Sequence, residues 1–133
     1  FMHRMGAGNP WRAGSAGVYA GAGSPASAHA IAVMKELGVD ISGHRSRPLT
    51  AELLRGADLI VTMTAGQRFD ILRDFPEVGN RVFLIKSFGT SKVPADISDP
   101  FGGSVKDYRR IRDEIDRAVS DLILFVHEGD NSR

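Results

Sequence analysis

Apolar and polar positions along the chain follow two different periods, which predicts short strands separated by helices. Leu59–Met63 is rich in β-branched residues and apolar on both faces, and Val82–Ile85 is fully apolar, which is the pattern of parallel strands covered on both faces. A third short strand is predicted within Trp11–Ala20, around Ala16, Val18 and Tyr19. Strands that alternate with helices predict an α/β fold with three αβα layers, in which helices cover both faces of a short parallel sheet.

The clearest helical pattern is in Val105–His127, preceded by Ser104 as an N-cap with Asp107 in capping-box position. Its apolar residues recur at three- and four-residue steps, as one buried stripe: Val105, Tyr108, Ile111, Ile115, Val119, Leu122 and Val126. The charged residues on the opposite face are interpreted as solvated surface. Glu128–Arg133 is expected to be frayed.

Four shorter helices are predicted, namely Phe1–Met5, Pro25–Leu37, Ala51–Arg55 and Gly66–Phe75. Ser24 is the expected N-cap of the second, with Pro25 at its first helical position and Gly38 at its end. Thr50 is the expected opening residue of the third. Lys86–Ser98 is predicted to be a polar loop.

The composition limits the classes of function. With 133 residues, 42% hydrophobic and 25% charged, the chain is typical of one globular domain spanning residues 1–133. Its net charge of +1 argues against nucleic acid and against an anionic membrane as partners, and no apolar run approaches the length of a membrane span. The chain contains no cysteine, so it offers no thiol nucleophile and no thiolate metal site.

Asp99 is the strongest single candidate for chemistry. It precedes Pro100, which favours an extended backbone at Asp99, and Gly102 and Gly103 allow a tight turn directly afterwards. Such a turn presents a carboxylate and the ring of Phe101 at the surface, where a carboxylate can donate or accept a proton. A helix-entry turn with a capping aspartate is the structural alternative.

Two other signals are weak. Gly21-x-Gly23-x-x-Ala26, with Asp40 further on, matches the spacing of a dinucleotide fingerprint, but Pro25 falls within it and no strong strand precedes it. The histidines at positions 3, 29, 44 and 127 show no metal-ligand spacing, so no metal is predicted. Taken alone, Ser15 and His44 are interpreted as turn residues.

Four sequence blocks occur in one order along the chain. They are Ser15-Ala16-Gly17, residues 38–49 (GVDISGHRSRPL), residues 57–64 (ADLIVTMT) and residues 99–104 (DPFGGS). In this order and at these separations they resemble the low-molecular-weight protein-tyrosine phosphatases, over nearly the whole chain. The Phe-Gly-Gly-Ser that follows Asp99-Pro100 is similar to the bacterial branch that includes protein-arginine phosphatases.

The resemblance implies a flavodoxin-like phosphatase fold and hydrolysis of phosphotyrosine or phosphoarginine through a phosphocysteine intermediate. It assigns Asp99 as general acid and then general base, and Phe101 as a wall of the substrate slot. Ser15 and His44 would support the phosphate loop through hydrogen bonds. A phosphorylated protein is the implied partner, with no cofactor, and the implied location and state are cytoplasmic and monomeric.

The family begins with a central strand and a C-x-x-x-x-x-R loop, and the chain contains no such motif. We therefore expect an N-terminally truncated phosphatase domain that lacks the first strand, the phosphate loop and most of the first helix, and that is inactive alone. A non-catalytic phosphate-binding or scaffold module is the alternative, and a nucleotide-binding fold is a further one. Stabilisation of the chain by phosphate would favour the scaffold.

Overall fold

The computed structural model describes residues 1–6, 8–18, 21–90 and 95–131. Within these ranges the α-helices are α1 (Met2–Met5), α2 (Ala28–Lys35), α3 (Ala51–Arg55), α4 (Ala65–Asp74) and α5 (Val105–Asn131). The strands are β1 (Ile60–Thr62) and β2 (Val82–Leu84). Two 3-10 helices, Pro76–Arg81 and Ile85–Phe88, flank β2. In this part of the chain, no helix combines the length and the apolar character needed to cross a bilayer.

β1 and β2 form a short parallel sheet with Ile60 opposite Val82 and Thr62 opposite Leu84. Successive side chains of a strand point to opposite faces, so neighbouring residues of β1 enter different cores. Ile60 packs with α3, α4 and the first 3-10 helix in a cluster that comprises Leu54, Ile60, Ile71, Val78 and Val82. Val61 packs on the other side, against the cluster of Ile85, Ile97, Ile111, Ala118 and Val119. The sheet is therefore a middle layer between α3 and α4 on one face and α5 on the other, which confirms the predicted α/β class.

The predicted strand within Trp11–Ala20 is wrong for the residues that the structure describes; Tyr19 and Ala20 lie outside them. Here Gly17 forms a single parallel bridge with Pro48. The Gly17 amide donates to the carbonyl of Arg47, and the Leu49 amide donates to the carbonyl of Gly17. Both bonds are made by the neighbours of Pro48, and among the described residues the pairing does not extend into a ladder.

The predicted cap of α2 is also wrong. Ser27, not Ser24, is the N-cap, and its side chain accepts a hydrogen bond from the amide of Ala30. Ser24 is instead bonded to Ser46, whose amide donates to the Ser24 carbonyl at 2.7 Å. This pairing with a distant segment draws Ser24 and Pro25 away from the helix. Gly38, with φ of 76°, closes the helical segment as predicted.

The remaining helix predictions are largely confirmed. The polar loop predicted over Lys86–Ser98 is wrong at its start, because the second 3-10 helix includes residues 86–88, and residues 91–94 lie outside the described residues. Thr50 caps α3 through the amide of Leu53, and the apolar stripe of α5 is buried at Ile111, Val119, Leu122 and Val126. α4 starts near its predicted position, and Thr64 and Gln67 form a capping box there. The expected fraying from residue 128 is wrong as far as Asn131, since α5 continues to that residue. Gly129 lowers helix propensity by only about 1 kcal/mol, which does not end a helix anchored by a long buried stripe.

An ion-pair network fastens α2 to α5. Glu36 accepts two hydrogen bonds from Arg109, at 3.0 and 2.8 Å, and one from Arg112 at 2.6 Å. Arg112 also donates to the carbonyl of Val33 and pairs with Asp113. Hydrogen bonds from Arg109 and then Arg112 lower the pKa of Glu36 from 4.5 to about 2.

This network predicts a pH-dependent contribution to stability. Because the pKa of Glu36 in the folded chain lies below its unfolded value, the contribution is complete above about pH 4.5 and is lost as the pH falls towards about 2. We expect the native chain to melt at a higher temperature than Glu36→Gln at pH 6, with the difference disappearing near pH 2. Thermal unfolding followed across this range checks it, and a difference that stays constant with pH would contradict it.

Candidate active site

Asp99 lies at the surface in a tight turn. Its carboxylate accepts a hydrogen bond from the amide of Phe101 at 2.9 Å, and the amide of Gly103 donates to the carbonyl of Pro100 at 2.8 Å. Gly102 is the third residue of this turn, and its φ is 81°. Turns of this class require a left-handed residue at that position. Phe101 is 83% exposed. An acidic group and an aromatic ring are thus both presented to solvent by one stiff turn.

The turn is anchored to the carboxyl end of β1. The amide of Ile97, two residues before Asp99, donates to the carbonyl of Met63 at 2.9 Å, and the Ile97 side chain is buried. The carboxylate of Asp96 accepts a hydrogen bond from the amide of Ala65, the first residue of α4. The carboxyl ends of parallel strands are where ligands bind in open α/β sheets. Asp96 was not predicted as a site residue, although it lies only three residues before Asp99 in the sequence.

On its other side the turn is fixed to the start of α5. The side chain of Ser104 accepts from the Asp107 amide at 3.2 Å, and the Asp107 carboxylate accepts from the Ser104 amide at 3.0 Å. This is the predicted capping box, and the bonds from Ser104 hold the pKa of Asp107 below its usual range. A Cβ on Gly103 would lie 2.8 Å from the Asp107 carboxylate and 2.9 Å from the Pro100 carbonyl oxygen. Glycine at this position therefore lets the turn and the cap approach each other.

The geometry of Gly102 leads to a stability prediction. An added Cβ meets no atom within 4 Å, so Gly102→Ala introduces backbone strain alone. We expect a loss of roughly 1–2 kcal/mol of unfolding free energy, the cost of a left-handed conformation for a residue with a Cβ. Gly43→Ala is the matched control, because Gly43 also has open space around it but no positive φ. Urea denaturation of both variants measures the difference, and equal losses would show that the turn is not strained.

Ser15 and His44 lie on two loops that contact each other. The segment around Ser15 meets residues 45–49 through the Gly17–Pro48 bridge, and the carbonyl of Ser15 accepts from the guanidinium of Arg47 at 2.9 Å. Ser15 and His44 are both exposed. Among the described residues, their side chains make no hydrogen bond, and no hydrogen bond or ion pair joins either residue to Asp99. The segments that contain Ser15 and His44 therefore lie together. The Asp99 turn is instead joined to the end of β1, to the start of α4 and to the start of α5.

The dinucleotide-like segment has a different geometry from a nucleotide loop. Pro25 forms an antiparallel bridge with Arg45, and the side chain of Ser46 donates to the carbonyl of Gly21. α2 begins only at Ala28, so Gly21–Ala26 does not lead straight into a helix N-terminus. Within the described ranges, no group of three or more histidine, aspartate or glutamate side chains is arranged to hold a metal ion.

Comparison with known proteins gives consistent matches. The family model described as low molecular weight phosphotyrosine protein phosphatase matches residues 1–131. A protein-arginine-phosphatase of Geobacillus stearothermophilus is 42% identical over 108 residues, which cover 81% of this chain and 72% of that protein.

Solved structures agree with this match. The YwlE arginine phosphatase of Geobacillus stearothermophilus superposes with a TM-score of 0.84 at 38% identity, over 90% of this chain and 77% of that one. A YwlE cysteine-to-serine variant with a phosphorylated active-site serine superposes with a TM-score of 0.76 at 36% identity, over 80% of this chain and 69% of that one.

Proposed function

Because the chain belongs to the low molecular weight phosphotyrosine protein phosphatase family, we propose that it carries the general acid of an enzyme that hydrolyses phosphoarginine or phosphotyrosine in proteins. The observation that carries this proposal is the Asp99 turn, which holds an exposed carboxylate and the exposed ring of Phe101 at the carboxyl end of β1. The similar arginine phosphatases support phosphoarginine as one of the two substrates.

The proposed reaction has two steps. In the first, a cysteine thiolate forms a bond to phosphorus as the bond to the leaving nitrogen or oxygen breaks, and Asp99 gives its proton to that leaving atom. In the second, Asp99 takes a proton from water as the water oxygen attacks phosphorus, which releases inorganic phosphate and the thiolate. Phe101 forms a wall of the slot that admits the substrate side chain. Ser15 and His44 support the phosphate loop by hydrogen bonds.

The 133 residues contain no cysteine, so we propose that they do not complete this reaction alone. The phosphorylated serine in the related arginine phosphatase variant supports a phosphorylated side chain as the intermediate in that enzyme. For the intact enzyme we propose a cytoplasmic monomer that acts on phosphorylated proteins and not on nucleic acid. The net charge of +1 supports the last point.

The direct test is a fusion protein, in which a strand and a C-x-x-x-x-x-R loop are joined ahead of Phe1. We expect this fusion to hydrolyse a phosphoarginine-containing or a phosphotyrosine-containing protein, while the 133-residue chain hydrolyses neither. Phosphate release from both substrates measures the activity. A well-folded fusion that hydrolyses neither substrate would overturn the proposal. Thermal stabilisation of the chain by phosphate, with no activity in the fusion, would favour a phosphate-binding scaffold instead.

A further inference from the structure

The solvent face of α5 carries a row of cations. Lys106, Arg110 and Arg117 are all exposed, and with Arg109 and Asp113 they line a shallow groove of about 370 Å³. The steps of four and seven residues place the three cations on one side of the helix, away from its buried stripe. They extend over about 16 Å, at 1.5 Å per residue.

The other charged groups of the groove are already paired. Asp113 accepts hydrogen bonds of 2.9 and 2.7 Å from Arg112, and Arg109 is engaged with both carboxylate oxygens of Glu36. The Asp113 carboxylate is therefore partly neutralised from within the α2–α5 network. Because Asp113 is bonded to Arg112, its negative charge offsets the charge of the three cations only in part.

The three cations themselves have few anionic partners. Arg110 forms a long ion pair with Asp107, at 4.0 Å, and the charge of Lys106 acts on the same carboxylate, so the two cations share one anion. In the described part of the chain, Lys106 and Arg117 form no ion pair. The groove thus presents positive charge to solvent, although the chain as a whole is nearly neutral.

The position of this face links it to the Asp99 turn. α5 begins at the residue after Ser104, and the capping box fixes the turn to the helix. A protein whose phosphorylated side chain reaches Asp99 must place its neighbouring residues on surfaces next to that turn. The first turns of α5 are one such surface, and its charge is complementary to carboxylates.

From this placement we infer that the cationic face of α5 docks an acidic segment of the phosphoprotein substrate; the identity of the docked molecule as substrate rests on the proposed function. Lys106 contacts the part of the segment nearest the phosphorylated residue, and Arg117 the part furthest from it. The interaction sets substrate preference and takes no part in proton transfer. Attraction between exposed charges is screened by salt, so the affinity falls as ionic strength rises.

Binding can be measured on the 133-residue chain, with no need for catalysis. The probe is an unphosphorylated ten-residue peptide rich in aspartate and glutamate, and its control has asparagine and glutamine at the same positions. In NMR titrations we expect the acidic peptide to shift the amide signals of Lys106, Arg110 and Arg117, and to bind more weakly as salt is added. The amide control is expected to leave these signals unchanged.

Two double variants with the same loss of charge complete the test. Lys106→Gln with Arg117→Gln is expected to weaken acidic-peptide binding about three- to ten-fold, as two exposed ion pairs would. Arg12→Gln with Arg55→Gln removes two exposed cations outside the groove and is expected to leave the affinity unchanged.

Equal effects of the two variants, no binding, or shifts confined to other surfaces would overturn the inference. Tighter binding of a short DNA duplex than of the acidic peptide would also overturn it. The peptide result and the activity of the fusion are independent, so failure of one does not decide the other.

Discussion

Replacing Asp99 with asparagine in the fusion protein is expected to lower kcat for a phosphorylated protein by about 10²- to 10⁴-fold. Asparagine keeps the shape of the side chain, and its amide oxygen can still accept the hydrogen bond from the Phe101 amide. It cannot donate an acidic proton to the leaving group or take one from water. The measurement is steady-state phosphate release under saturating substrate.

Asp58→Asn provides the matched control for this prediction. Asp58 is an exposed aspartate just before β1, at the amino end of the sheet, whereas Asp99 is anchored at the carboxyl end. We expect kcat of this variant to stay close to that of the parent fusion. The loss in Asp99→Asn should also shrink for an aryl phosphate with a weakly basic leaving group, because such a group leaves without protonation. Similar losses in both variants would show that Asp99 has no special role.

Leu54→Ala is expected to lower the free energy of unfolding by about 2–5 kcal/mol. Leu54 is 3% exposed and belongs to the cluster that joins α3 to Ile60, Ile71 and Val82. Removing its side chain leaves a cavity beneath the sheet, next to Val78, which is fully buried. Since a native domain has only about 5–15 kcal/mol of stability, this one substitution removes a large part of it.

Leu124→Ala is the matched control, since Leu124 is also a helical leucine but is 61% exposed. We expect it to change the unfolding free energy by less than about 1 kcal/mol. Urea denaturation of both variants gives the two values. If the two losses were equal, the cluster around Ile60 would not be the core of the domain.

Much of the fold was predictable because the hydrophobic pattern along the sequence matches the faces of the helices and strands that are buried. Leu59–Met63 and Val82–Ile85 contain β1 and β2, and the period of apolar residues in α5 predicted its buried face. The strand predicted within Trp11–Ala20 failed because strand formation depends on a partner. Among the described residues, its partner segment supplies a single bridge, between Gly17 and Pro48. Ser24 was assigned to the wrong role for a similar reason, since its hydrogen bonds with Ser46 come from a residue 22 positions away.

The site was predictable to a smaller extent. The sequence located the Asp99 turn and the capping box of Ser104 and Asp107, because proline, glycine and capping residues act locally. It did not reveal the bond from the Ala65 amide to Asp96, or the bond from Arg47 to the Ser15 carbonyl. Both join segments more than 30 residues apart. The roles of Asp99, Phe101, Ser15 and His44 are predictions that rest on the family.

The pH dependence of kcat in the fusion and its Asp99→Asn variant tests the central proposal most directly. If Asp99 donates the proton to the leaving group, the rate of the parent fusion falls as the pH rises and the protonated acid disappears. We expect this fall to be absent in Asp99→Asn, which reacts slowly at every pH. A variant that retains the same fall with pH would contradict it, because another group would then supply the proton.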